Sequence, residues 1–217
     1  MTLGCPCPSS SQTALAKGFN VKQASLGVKN HDPKDPSSQL TSMFRQVIGT
    51  MFTCIEHYEE VWKKIKGISE LEMVGEAKYD DLPDPIPVDR QNTLNAFKNN
   101  FDSYLQVYKG VLSNEALSKF EQLKNLEFSN IDFPPEIWAK TVYSFIAKFH
   151  QEPSETRLRL VDALRVLWIG RVAVFLKETW NLDRDAAEAR IIEEARVFEK
   201  LKPYFVNLYC DYSKTTK

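Results

Sequence analysis

"LTSMFRQVIGTMFTCIEHYEEVWKKI", residues 40–65, decides the fold class. Its large apolar side chains (Leu40, Met43, Phe44, Val47, Ile48, Met51, Phe52, Ile55, Tyr58, Val61, Trp62 and Ile65) recur at steps of three and four. At ~3.6 residues per turn that spacing puts them on one face of a helix of about seven turns. Gly67 follows as a stop signal, because a glycine takes the left-handed backbone that ends helices at little steric cost. A chain that opens its longest periodic run this way is expected to be mainly α.

The same period continues toward the C-terminus. Leu94, Phe97, Phe101, Leu105, Tyr108 and Leu112 mark one helix. Leu117, Phe120 and Leu123 mark the next, with Ser113 or Asn114 as its cap. "FPPEIW", residues 133–138, places prolines where a helix begins and a missing N–H costs little. Trp138, Val142, Phe145, Ile146 and Phe149 form that helix's apolar face. A long helix starts near Ser154 and Glu155 and carries Leu158, Val161, Leu164, Leu167, Trp168 and Phe175. Asp183 or Asp185 caps a last helix through Ile191, Ala195, Phe198 and Leu201, with Pro203 as its stop. The expectation is a bundle of five to six helices over residues 38–217. A proline-rich connector, "YDDLPDPIPVD" at 79–89, interrupts it as an extended arm, and its Asp80, Asp81 and Asp84 read as solvated acids.

Toward the N-terminus the character changes. "FNVKQASLGV", residues 19–28, alternates like a strand. A single strand leaves its backbone groups without a ladder, so this segment reads as the end of something larger. Residues 1–13 lack periodicity and are expected to be a disordered tail.

Composition bounds the function. The chain has 217 residues, 43% of them hydrophobic, enough for a real core. With 28 basic and 29 acidic residues the net charge is -1, which lacks the basic footprint of a nucleic-acid binder. No apolar run approaches the ~20 residues of a membrane span, and the start has no secretory pattern, so a cytoplasmic protein is expected, without nucleic-acid or membrane partners. Cys5 and Cys7 in a CPCP string do not have zinc-knuckle spacing, and Cys54 and Cys210 stand alone.

Chemistry-bearing patterns are scarce. His31, His57 and His150 are widely separated, and there is no glycine-rich phosphate loop and no GxSxG elbow. His57 lies beside Glu56, Glu59 and Glu60 at the edge of the apolar stripe; His150 meets the negative end of its helix. Arg165 and Arg171 sit in the apolar stretch "LRLVDALRVLWIGRVAVF", where pairing of a buried arginine with Asp162 or Glu178 competes with clamping of a substrate carboxylate. His31 has a different context. It stands in "LGVKNHDPKDP", residues 26–36, closing the strand and opening a proline-bounded loop, where ligand sites gather in α/β folds. An imidazole there suits a divalent metal, but one ligand does not make a site.

The runs "ALAKGFNVKQASLGVKNHDPKDPSSQLTSMFRQVIGTMF" (14–52), "PPEIWAKTVYSFIAKFH" (134–150), "LRVLWIGRVAVFLKET" (164–179) and "FEKLKPYFVNLY" (198–209) carry a resemblance. They resemble the end of the catalytic domain and the helical C-terminal domain of glycosyltransferases of the mannosylglycerate and glucosylglycerate (or glucosyl-3-phosphoglycerate) synthase type. The resemblance implies a GT-A α/β domain whose acidic motif presents Mg or Mn to the diphosphate of a nucleotide sugar. It implies His31 as a further metal ligand and a donor-closing loop at 32–43, with Lys34 and Met43 as its candidate residues. The implied reaction is hexose transfer, with retained configuration, to glycerate or 3-phosphoglycerate.

The nucleotide-binding half of that pattern finds no counterpart before Ala14. Residues 14–37 are therefore expected to be a strand and loop remnant of the α/β domain, and the whole a C-terminal fragment, inactive alone. No metal is expected to bind tightly to this chain by itself. Its expected partner is a separately encoded catalytic half, or a second copy. The rival reading is a free-standing helical interaction module, whose apolar helix faces make an oligomer or partner surface.

Overall fold

The computed structural model describes residues 8–24, 40–67, 72–75 and 88–214. The described chain is mainly α, as the periodicity requires. Helix α1 (Pro8–Ala16) precedes a two-residue strand, β1 (Gln23–Ala24). Helices α2 (Thr41–His57) and α3 (Glu59–Trp62) follow, then strand β2 (Met73–Val74). The remainder is helical: α4 (Arg90–Phe101), α5 (Leu105–Val111), α6 (Asn114–Asn125), α7 (Pro135–Gln151), α8 (Ser154–Thr179), α9 (Arg184–Lys200) and α10 (Lys202–Lys214).

Five or six helices undercount this division, and each extra break has a local cause. The predicted run over 40–65 stops at His57. There the indole N–H of Trp62 donates to the Ile55 carbonyl at 2.8 Å, the acceptor that the Glu59 N–H would use in an unbroken helix. The predicted helix through Leu94 and Leu112 divides at a tight turn over Asp102–Tyr104. Pro203 starts α10 rather than merely stopping α9: in the first turn its missing N–H is no loss. Likewise α1 begins at Pro8, inside the stretch that composition marks as a tail.

Caps follow the sequence. Ser113 accepts from the Ala116 N–H at 3.2 Å and Asp183 from Ala186 at 2.8 Å, while Asp89 does the same for Asn92 at 2.9 Å. Each such cap satisfies one of the amide groups a helix start leaves without a partner.

The core is organised around α8, a 26-residue helix buried on most sides. Helices α4, α2 and α7 pack on it. Gly170 permits the closest approach: a Cβ there would lie 2.9 Å from the Phe97 ring of α4. Phe97 itself touches Phe101 and Phe120, and Phe120 meets Phe133 at 4.4 Å between centroids. Tyr108 spans from α5 to donate to the Ala163 carbonyl at 3.1 Å.

Two phenols, Tyr108 and Tyr209, are buried in this core and a third, Tyr143, is half-buried against it, with an expected consequence at high pH. Burial pushes Tyr143 up to about 12, and pushes Tyr108 and Tyr209 further above the ordinary tyrosine range. A phenol whose folded pKa lies above its unfolded value favours the folded state fully below the unfolded pKa. That stabilisation drains away as pH rises from the ordinary value, ~10, toward the folded value. Phenolate absorbance is therefore expected to rise for these residues together with loss of helical signal, above about pH 10. Stepwise ionisation of all tyrosines with the helices intact would contradict this burial.

Strands β1 and β2 pair in parallel, with Gln23 opposite Met73 and Ala24 opposite Val74. Lys22 and Glu72 form an ion pair of 2.8 Å beside them. All four strand residues are exposed. Of the alternating stretch 19–28, Gln23–Ala24 form a strand, Phe19–Lys22 do not, and the rest lies outside the described residues. The sequence reading missed its partner, because residues 72–75 carry no strand-length pattern of their own.

Candidate functional site

Two arrangements stand out around α2: an apolar cleft at its N-terminal half and a polar clamp at its C-terminal end. The cleft arises because α2 leans on α7 and α8 with bulky, imperfectly interlocking side chains. It has a volume of about 260 Å³, and its walls include Met43, Val47, Met51, Trp138, Val142 and Trp168. The Phe44 ring meets Trp168 at 5.1 Å between centroids and closes its floor. Among the described residues no titratable side chain lines it. It can accept apolar atoms.

The clamp begins with Glu56, in the last turn of α2. Both its carboxylate oxygens accept from Arg157 of α8, each at 2.8 Å. Arg157 also donates from Nε to the Glu152 carbonyl at 2.9 Å, and its guanidinium lies over the Phe149 ring. His150, at the end of α7, sets Nδ1 3.1 Å from Glu56 Oε1, and its ring stacks on Tyr209 of α10 at 4.5 Å. Three helices therefore meet on one carboxylate, and α10 joins them through the Tyr209 ring stacked on His150. The side chains of Glu56, His150 and Arg157 are each only partly exposed, so the pairs are shielded from solvent. Bidentate arginine pairing of this kind fixes orientation as well as charge.

Glu56 is fully engaged, and proton transfer through it would require the clamp to open. It is read as a bracket holding α2, α7, α8 and α10 in register. Beside it, Lys63 pairs with Glu59 and lies 5.6 Å from the centre of the Tyr209 ring, extending the bracket toward α3.

A second buried charge cluster joins α8 to α9. Arg171 donates from Nε to Glu194 at 2.7 Å and from Nη2 to Glu178 at 3.2 Å. Of the two pairings read from sequence, Glu178 is the one formed; Asp162 instead binds Arg45 of α2 through two contacts of 2.6 and 2.8 Å. Arg165 lies half-buried on the same helix, and its Nε–H donates to no group among the described residues. Neither arginine lines the apolar cleft.

The other sequence candidates divide into three groups. His31 and Lys34 lie outside the described residues, as do Asp80, Asp81 and Asp84. Met43, the last residue of the expected donor loop, lies instead in the first turn of α2, 47% exposed and lining the apolar cleft. His57 is exposed and set edge-on to Tyr58, a boundary residue as its position suggests. His150 has more partners than a helix end alone supplies. Sequence reasoning missed the Glu56, His150 and Arg157 cluster: the partners lie 94 and 101 positions from Glu56, and no local spacing announces them.

Among the described residues no three His, Cys, Asp or Glu side chains converge to hold a metal ion. Among those residues, too, no helix is long and apolar enough to cross a membrane. No family model matches this chain, and no curated protein or solved structure shows significant similarity to it.

Proposed function

We propose that this chain is the helical portion of a cytoplasmic nucleotide-sugar hexosyltransferase of the glucosylglycerate and mannosylglycerate synthase type, acting on a glycerate or phosphoglycerate acceptor. In this reading it does not transfer sugar alone and completes a partner α/β domain. The observation that carries the reading is the exposed parallel pair of β1 and β2. Parallel strands occur almost only in sheets covered on both faces, and a two-stranded pair is marginal in water. A pair with every residue exposed is accounted for if it continues the edge of a larger sheet. The apolar cleft lined by Met43, in the segment that the resemblance assigns to the donor loop, supports the same reading. The described residues do not supply a metal-ligand set, so the divalent ion of such chemistry would be held chiefly by the partner domain.

The test supplies the missing half in trans. The full chain is mixed with the isolated α/β domain of an authentic glucosylglycerate synthase, and separately with the product of the adjoining open reading frame. Each mixture receives UDP-glucose or GDP-mannose, manganese, and glycerate or 3-phosphoglycerate. Hexose transfer is expected in at least one mixture and not with the chain alone, together with slowed amide exchange at residues 23–24 and 73–74. Unaided transfer by this chain would overturn the reading. So would failure of both partners to bind it or to become active.

A further inference from the structure

Helix α9 is weakly anchored for its length: it has 17 residues and none of them is buried. Isolated helices of this size are marginal, and a surface helix ordinarily buries an apolar stripe. Here the stripe faces outward in part. Ile191 is 55% exposed and Ile192 47%, and Ala195 beside them is exposed as well. At 3.6 residues per turn, Arg184, Glu188, Ile191, Ile192, Ala195 and Glu199 fall within about 100° of arc. They form one face.

That face is complementary to itself. Turned end for end about a point between Ile191 and Ile192, it brings Ile191 against Ile192, Glu188 against Ala195, and Arg184 against Glu199. Beyond the ends, Asp183 falls opposite Lys200. No like charges meet in this register. Shifting it by one residue would set Arg184 against Lys200 and Asp185 against Glu199, so the charges select the register as well as the partner.

The surroundings of the C-terminal half fit the N-terminal half of a second copy. Ala195 and Glu199 line a cleft of about 550 Å³ together with the exposed Lys66 and Lys200, while Lys202 there donates to the Ile65 carbonyl. The segment that would lie over it from another copy carries Asp183, Asp185 and Glu188. We propose that α9 is a homodimerisation helix, pairing antiparallel with α9 of a second copy across a two-fold axis between Ile191 and Ile192. The contact is isologous, so it closes at two copies and does not propagate. This inference does not depend on the sugar-transfer reading.

A single helix pair of about 25 Å sits at the low end of specific interfaces, so a dissociation constant on the order of micromolar is expected. Sedimentation equilibrium of the full chain tests it. A monomer–dimer equilibrium is expected, weakened about tenfold or more by Ile191→Asp with Ile192→Asp, with the helical circular dichroism unchanged because neither side chain is in the core. Asp185→Lys with Glu188→Lys is expected to weaken it too. Adding Lys66→Glu and Lys200→Glu to that variant restores it, which loss of folding alone would not allow. A chain that stays monomeric at every concentration overturns the proposal. A dimer indifferent to the isoleucine substitutions, or a larger assembly, overturns it as well.

Discussion

Phe97→Ala destabilises this protein by about 4 kcal/mol, and in that background Gly170→Ala changes from harmful to neutral or favourable. The first part follows from burial. The Phe97 ring is fully enclosed between α4 and α8, touching Phe101 and Phe120, so truncation removes its transfer free energy and leaves a cavity. The second part follows from contact. In the native chain a Cβ on Gly170 would lie 2.9 Å and 3.0 Å from two atoms of that same ring. The ring is hemmed in and cannot swing away freely, so Gly170→Ala alone is expected to cost about 1–3 kcal/mol by overpacking. Remove the ring and the methyl group enters the vacated space, while alanine is about 1 kcal/mol better than glycine within a helix. Denaturant unfolding of the four combinations measures the coupling. Additive effects would show that α4 and α8 do not meet at these two residues.

Arg171→Ala is expected to cost about 3 kcal/mol and to release α9 before the rest of the protein unfolds. Arg171 is 6% exposed and joins two carboxylates on different helices, Glu178 and Glu194. Removing it leaves two partly buried negative charges facing one cavity, and breaking such a cluster costs more than its intact form contributes. Arg190 approaches Glu178 at 3.8 Å and offsets part of that loss for α8, while Glu194 loses its hydrogen bond of 2.7 Å. The local consequence follows from the absence of buried residues in α9. Another anchor is Tyr143, whose hydroxyl donates to the Phe198 carbonyl at 2.6 Å near the far end. Amide exchange should therefore accelerate across 184–195 while α4 and α8 exchange only through global unfolding. A variant whose α9 amides stay as protected as those of α8 would show that packing, not this charge cluster, holds the helix. Arg171→Met separates the two contributions, since it keeps most of the apolar stem and removes only the charge.

The two experiments address different levels of the same architecture. Phe97 and Gly170 lie where apolar faces meet, and those faces were readable from spacing alone. Arg171 lies where charges meet, and the sequence offered Asp162 and Glu178 with no means of choosing. The structure gives Asp162 to Arg45, 117 positions away, and adds Glu194, which the pattern did not suggest. His31, the residue with the most suggestive context, lies outside the described residues, and the site reading there rests on resemblance.

What the sequence determined by itself was the helical class, most of the apolar positions that face inward, and two caps to within a choice of two residues each. Each of these is a property of neighbours along the chain: a period of 3.6, or a side-chain oxygen within reach of an amide three residues on. What only the tertiary structure decided was where helices break and which separated residues meet. Trp62 ends α2 by taking the Ile55 carbonyl, Gln23 finds Met73 across a parallel pair, and Glu56 gathers His150 and Arg157 from two other helices. Those outcomes depend on which apolar face packs on which. Burial free energy is non-directional, so it drives the helices together without naming their polar partners; shape and charge select those once the chain has closed.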